Sequence, residues 1–90
     1  MTVVIVGTLD TKGEEIGFAR DVLEAEGVAV HVIDTGVVGD PEFEPDTSAS
    51  EVAEAADTTL GHLREEADRG EAMEAMGEGA AAIVKQMHES

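Results

Sequence analysis

The sequence predicts an α/β fold: a β-α-β unit with a short parallel sheet, followed by helices. Three observations lead there. Val3-Val4-Ile5-Val6 is a continuous apolar run, mostly β-branched and closed by Gly7, the pattern of a strand buried in a parallel sheet. Ile16, Ala19, Val22 and Leu23 then fall at helical spacing. Val28-Ala29-Val30-His31-Val32-Ile33 is a second strand-like run, closed by Asp34-Thr35-Gly36. Strand, helix, strand in this order is a right-handed crossover between parallel strands. The chain reads as a Rossmann-like half, β-α-β-α-α, whose helical part opens in short pieces.

Taken in order, the first strand runs into a small polar loop, residues 7–15, and a helix follows. Glu26-Gly27 ends that helix, since Gly is favoured just past a helix C-terminus. Residues 37–49 are irregular: Pro41 and Pro45 interrupt any regular element, and Gly36 and Gly39 permit tight turns. A loop of this length can carry function. Phe43, one of two Phe in the chain, is expected on the core, with a partner surface as the other reading. Ser48-Ala49-Ser50-Glu51 is a capping box opening a short helix, with Val52, Ala53 and Ala56 inward. Asp57-Thr58-Thr59 restarts the chain into a second short helix, Leu60 to Ala67, with Leu60 and Leu63 inward. The last helix is capped by Asp68 and runs to His88. Met73, Met76, Ala80, Ile83, Val84 and Met87 form its apolar stripe, expected to pack in the core, although a Met-rich stripe also suits an adaptable binding surface. Gly77 and Gly79 either weaken this helix or let another backbone approach it.

The loop after the first strand lies where open α/β sheets place their ligand crevices. Gly7 lets backbone come close to a ligand, Thr8 and Thr11 offer hydroxyls, and Asp10 can hold a ribose or a metal ion. Lys12, one of two lysines, can meet a phosphate, and the first amides of the helix favour an anion. The pattern is neither G-x-G-x-x-G nor a Walker A loop, and a turn in which Thr and Asp cap the helix explains it equally well. Asp34, at the end of the second strand, stands where dinucleotide-binding folds put an acid on a ribose, or else caps a turn. Asp10, Asp34 and Asp46 can all end at the carboxyl edge of the sheet, where three oxygen ligands would hold Mg²⁺ beside a nucleotide phosphate. His31, His62 and His88 sit on three different elements without ligand spacing, and His31 reads as structural. No base–nucleophile pair stands out, so nothing argues for catalysis.

Gly7-Thr8-Leu9-Asp10-Thr11-Lys12-Gly13-Glu14-Glu15 resembles the opening signature of the Tm-one-like ATP-binding family. Three later stretches resemble it in the same order: Asp34-Thr35-Gly36-Val37 with Gly39, Pro41, Phe43, Pro45 and Asp46; Asp68-Arg69-Gly70; and Met76 leading into Gly79-Ala80-Ala81. The resemblance implies ATP as ligand, with Mg²⁺, near Gly7, Thr8, Asp10, Thr11 and Lys12, and with Asp34 across the crevice. It also implies a longer protein, in which a glycine-rich phosphate-binding segment and a second α/β subdomain follow. Residues 1–90 are then one partial domain, and weak or no ATP binding is expected of it alone. A structural or dimerisation domain without a ligand is the alternative.

Composition sets the remaining bounds. With no Trp or Tyr, the core must be built from Val, Ile, Leu, Ala and Met. Two strands make a poor sheet, so a homodimer is expected to complete it. Twenty-one acidic residues against five basic ones give a net charge of −16, which disfavours nucleic acid and anionic lipid as partners. The acids are spread over every segment, the pattern of a solvated surface adapted to high salt, from which a halophilic source is inferred. The absence of cysteine excludes disulfides and zinc–thiolate sites and fits a cytoplasmic protein. The apolar start is too short for a signal peptide or a membrane span. Screening such self-repulsion should stabilise the fold: between 0.05 and 2 M KCl the thermal midpoint, followed by circular dichroism, is expected to rise by at least ~5 °C, the shift that about 1 kcal/mol produces in a domain this small.

Overall fold

The two β-branched runs form strands β1 (Thr2–Gly7) and β2 (Ala29–Asp34), paired in parallel with Thr2 beside Ala29 and Gly7 beside Asp34. They are seen in a computed structural model that describes residues 2–37, 39, 41–65 and 68–89, the last of these by its backbone alone. Helix α1 (Leu9–Ala25) makes the crossover between them. Its end is a Schellman motif: Gly27 takes φ +84°, its N–H donates to the Glu24 carbonyl, and the Val28 N–H donates to that of Leu23.

Helix α1 begins earlier than expected. Residues 9–15 are not a loop: Thr8 is the N-cap residue, and its carbonyl accepts from the N–H groups of Thr11 (3.2 Å) and Lys12 (2.7 Å). The helix is kinked at Lys12 (φ −119°, ψ 15°), inside the segment expected to be a loop. The residues that α1 buries also differ in part from those expected. Leu9 and Gly13 are buried and Ile16 and Leu23 half-buried, whereas Ala19 and Val22, expected inward, lie exposed. Phe43 leaves the core as well. It packs half-buried on α1, close to Gly17, with the Arg20 guanidinium 4.3 Å from its ring centre.

The sheet has two covered faces. Val6 and Ile33 are register partners and therefore share a face, as do Ile5 and Val32. Ile33 belongs to the main core with α2 (Ala49–Ala55), α3 (Leu60–Glu65) and α4 (Arg69–Glu89). Val32 faces the α1 side. The main core joins Ile33, Val52, Ala53, Leu63, Ala72, Met76 and Ala80, with Val4, Leu60, Ile83 and Val84 at its edge. Its fully buried members Ile33, Val52 and Met76 contribute about 1.5–3 kcal/mol each. The expected caps are in place. Ser48 and Glu51 form the capping box, Asp68 Oδ1 accepts from the Glu71 N–H at 2.8 Å, and Thr59 Oγ1 accepts from the His62 N–H at 3.2 Å. Ala67, the expected end of the third helix, lies outside the described residues.

The packing stripe of α4 follows the predicted one through Met76, Ala80, Ile83, Val84 and Met87 and departs from it at its first residue. Ala72 rather than Met73 faces the core, and Met73 is 68% exposed. The reason is Gly79, whose missing side chain lets α4 lie directly on the Val52 carbonyl of α2, which fixes the rotation of the helix. Gly77, two residues earlier, meets nothing. Gly79→Ala should therefore lower stability by about 1–3 kcal/mol through overpacking. Gly77→Ala should raise it by about 0.5–1 kcal/mol through helix propensity, both read from urea unfolding in molar KCl.

Candidate functional site

The carboxyl ends of β1 and β2 lie side by side, and the residues predicted for a ligand gather there. Asp34 is almost fully buried, at 3% exposure. Its Oδ1 accepts from the Leu9 N–H at 3.1 Å and the Gly36 N–H at 2.8 Å. The first contact caps α1 from a distance, replacing the cap that Thr8 does not make. The second closes an Asx turn over Thr35, whose own N–H donates to the Gly7 carbonyl at 2.9 Å. Of the two sequence readings of Asp34, the turn cap is the one its contacts match.

Asp10 sits in the first turn of α1, where a carboxylate is favoured by the helix dipole. Its Oδ2 accepts from the Gly39 N–H at 3.1 Å, tying α1 to the loop after β2. Its Oδ1 is buried without a hydrogen-bond partner among the described residues. Asp10 and Asp34 crowd the same glycine: a Cβ on Gly36 would fall 2.6 Å from Asp10 Oδ1 and 3.1 Å from Asp34 Oδ1. Thr8 and Thr11 hydrogen-bond each other through their hydroxyls at 2.7 Å, and Lys12 is exposed beside them. Gly7 lies against the Ile16 side chain, where a Cβ would collide with it.

Asp46 does not join this group. Its Oδ2 accepts from the Val32 N–H at 2.7 Å, two residues short of the carboxyl end of β2. The loop returns there as a strand fragment: the Asp46 and Thr47 N–H groups donate to the Val32 carbonyl and the Asp34 N–H to the Thr47 carbonyl, each at 3.0 Å. The Asp46 carboxylate thus supplies the acceptor that a third strand would have offered. The three-carboxylate Mg²⁺ site is not assembled, and among the described residues no group of three acidic or histidine side chains is disposed to hold a metal. His31 is structural, its Nε2 lying 2.7 Å from Thr47 Oγ1.

Three amides at this edge are already engaged. The amides of Leu9 and Gly36 are engaged by Asp34 and that of Gly39 by Asp10. Two carboxylates flank the N-terminus of α1 and oppose a bare phosphate at that point. Thr8, Thr11 and Lys12 form the rim of this turn, with Lys12 exposed. Sequence reasoning missed the part played by the amides of Leu9, Gly36 and Gly39, because a backbone donor leaves no mark in a sequence beyond the glycines of a turn.

A model of the N-terminal domain of an uncharacterised protein family, UPF0261, matches residues 1–90. A UPF0261 protein of Clostridium tetani (strain Massachusetts / E88) is 47% identical over 85 residues, covering 94% of this chain and 21% of that protein. One of Brucella suis biovar 1 (strain 1330) is 41% identical over 83 residues, covering 92% and 20%. The chain therefore spans about a fifth of the length of the curated relatives it matches. No solved structure matches it. Among the described residues no helix is long and apolar enough to cross a membrane.

The contacts of Asp34 carry a direct test. Asp34→Ala removes the acceptor of two buried amides and should destabilise the chain by about 2–4 kcal/mol in urea unfolding. Asp34→Asn keeps an oxygen in that place and should lose less than about half as much.

Proposed function

The chain belongs to the UPF0261 family as its N-terminal domain, and from that premise we propose that it is the N-terminal part of a nucleotide-binding α/β module, incomplete by itself. The ligand is ATP with Mg²⁺. Thr8, Thr11 and Lys12 contact it from the rim of the β1–α1 turn, and Asp10 and Asp34 hold that turn in shape. The observation that carries this reading is the juxtaposition of Gly7 and Asp34 at the carboxyl edge of a parallel pair, with the exposed Lys12 beside them. The engaged amides explain why the module is incomplete. The groups that take the phosphates have to come from the four-fifths of the relatives' length that this chain does not span.

A second reading, a structural or dimerisation domain without a ligand, draws on the same contacts. Asp34 holds two backbone amides through Oδ1, as in a turn whose task is shape. Calorimetric titration separates the two. The 90-residue chain in molar KCl should bind Mg·ATP no more tightly than ~1 mM, worth about 4 kcal/mol. The intact Clostridium tetani relative should bind it in the micromolar range, and Ala at its position matching Lys12 should weaken binding about tenfold, the equivalent of 1.4 kcal/mol. Absence of heat with the intact relative supports the second reading.

A further inference from the structure

The two edges of the sheet are finished differently. The outer edge of β2 is covered by Asp46 and Thr47, as described above. The outer edge of β1 is not. The Gly7 carbonyl points toward β2, where it meets the Thr35 N–H. By strand alternation the N–H and C=O groups of Val4 and Val6 point the other way. Among the described residues no hydrogen bond reaches them. An uncovered edge of this kind is a template for another strand.

The surface beside that edge is apolar. Val6 is 48% exposed, although its register partner Ile33 is fully buried. Helix α2 packs on β2 and α4 packs on α2, and an open groove of about 580 Å³ is lined by Val6 of β1 and by Ala80, Ala81, Val84 and Lys85 of α4. A strand laid ~4.8 Å beyond β1 would set the side chains of one face over this groove and shield Val6.

We propose that the free edge of β1 and the groove under α4 receive a β-strand from the remaining four-fifths of a UPF0261 polypeptide, with small or β-branched apolar residues on its α4-facing side. Two observations select this occupant over a second copy. The relatives supply some four times more chain than this domain contains, so sheet-forming sequence is covalently at hand. A twofold pair of β1 edges would instead bring two chains of net charge −16 edge to edge, within the ~10 Å screening length of 0.1 M salt.

Two measurements decide the matter, on the 90-residue chain and on the intact Clostridium tetani relative. The first is single-residue amide exchange with light scattering. The Val4 and Val6 amides of the 90-residue chain should exchange freely, and the chain should have the mass of a monomer. The matching amides of the intact relative should be slowed by at least ~100-fold, independently of protein concentration. The second is substitution. Val6→Asp should shift the thermal midpoint of the short chain by less than ~2 °C, and Asp at the matching position of the intact relative should lower it by more than ~5 °C. Free exchange at those positions in the intact relative overturns the proposal. So does protection in the 90-residue chain that appears together with a dimer mass, because the occupant is then a second copy. Should the substituted relative fail to fold, the exchange of the unsubstituted protein still decides.

Discussion

One buried carboxylate holds the working end of this molecule together. Asp34 ends β2, and its Oδ1 takes the first amide of α1 and the amide of Gly36. Through these bonds three segments distant in sequence meet at one point: the start of the crossover helix, the end of the second strand and the loop beyond it. Asp10 adds a parallel tie, from the first turn of α1 to the Gly39 amide. A hydrogen bond to a charged acceptor contributes about 1.5–3 kcal/mol, a large share of the stability of a domain with so small a core. The same bonds set what the edge can bind, because amides given to Asp34 are withheld from a phosphate.

The second organising contact is between helices. Gly79 lets α4 rest on the backbone of α2, and that close approach aligns Ala72, Met76 and Ala80 with Val52 and Ile33. Alanine and glycine thus do work that aromatic side chains do in larger cores. The consequence is a core only about one side chain deep on each face of the sheet. It leaves Phe18 (73% exposed), Val22 and Met73 on the surface, and β1 with one bare edge. A sheet of two strands has little area on which to build a core. The chain matches the N-terminal domain of the family and spans about a fifth of the length of its curated relatives.

Much of the local structure was legible in the sequence because it depends on local chemistry. The Ser48–Glu51 box, the Asp68 cap and the turn at Gly27 each involve residues a few positions apart, and each formed as expected. Both strands came within one or two residues of their predicted bounds. Three expectations failed for non-local reasons. Helix α1 starts at Leu9 instead of beyond Glu15, because a carboxylate 25 residues away caps it. Phe43 lies outside the core, because Gly17 and Arg20 offer its ring a seat on α1. Asp46 is separated from Asp10 and Asp34, because the loop that carries it comes back alongside β2 rather than over its end.

By itself, then, the sequence determined the α/β class, the parallel crossover, the helix caps, the acidic surface and the gathering of Gly7, Thr8, Asp10, Thr11, Lys12 and Asp34 at one edge of the sheet. These follow from periodicity, capping preferences and charge, which act over a few residues or over the whole composition. Only the tertiary structure decided what Asp34 is bonded to, how α4 is rotated and which edge of the sheet is left bare. Those depend on where backbone amides and carbonyls from distant segments come to lie, and a backbone group has the same formula at every position until the fold places it.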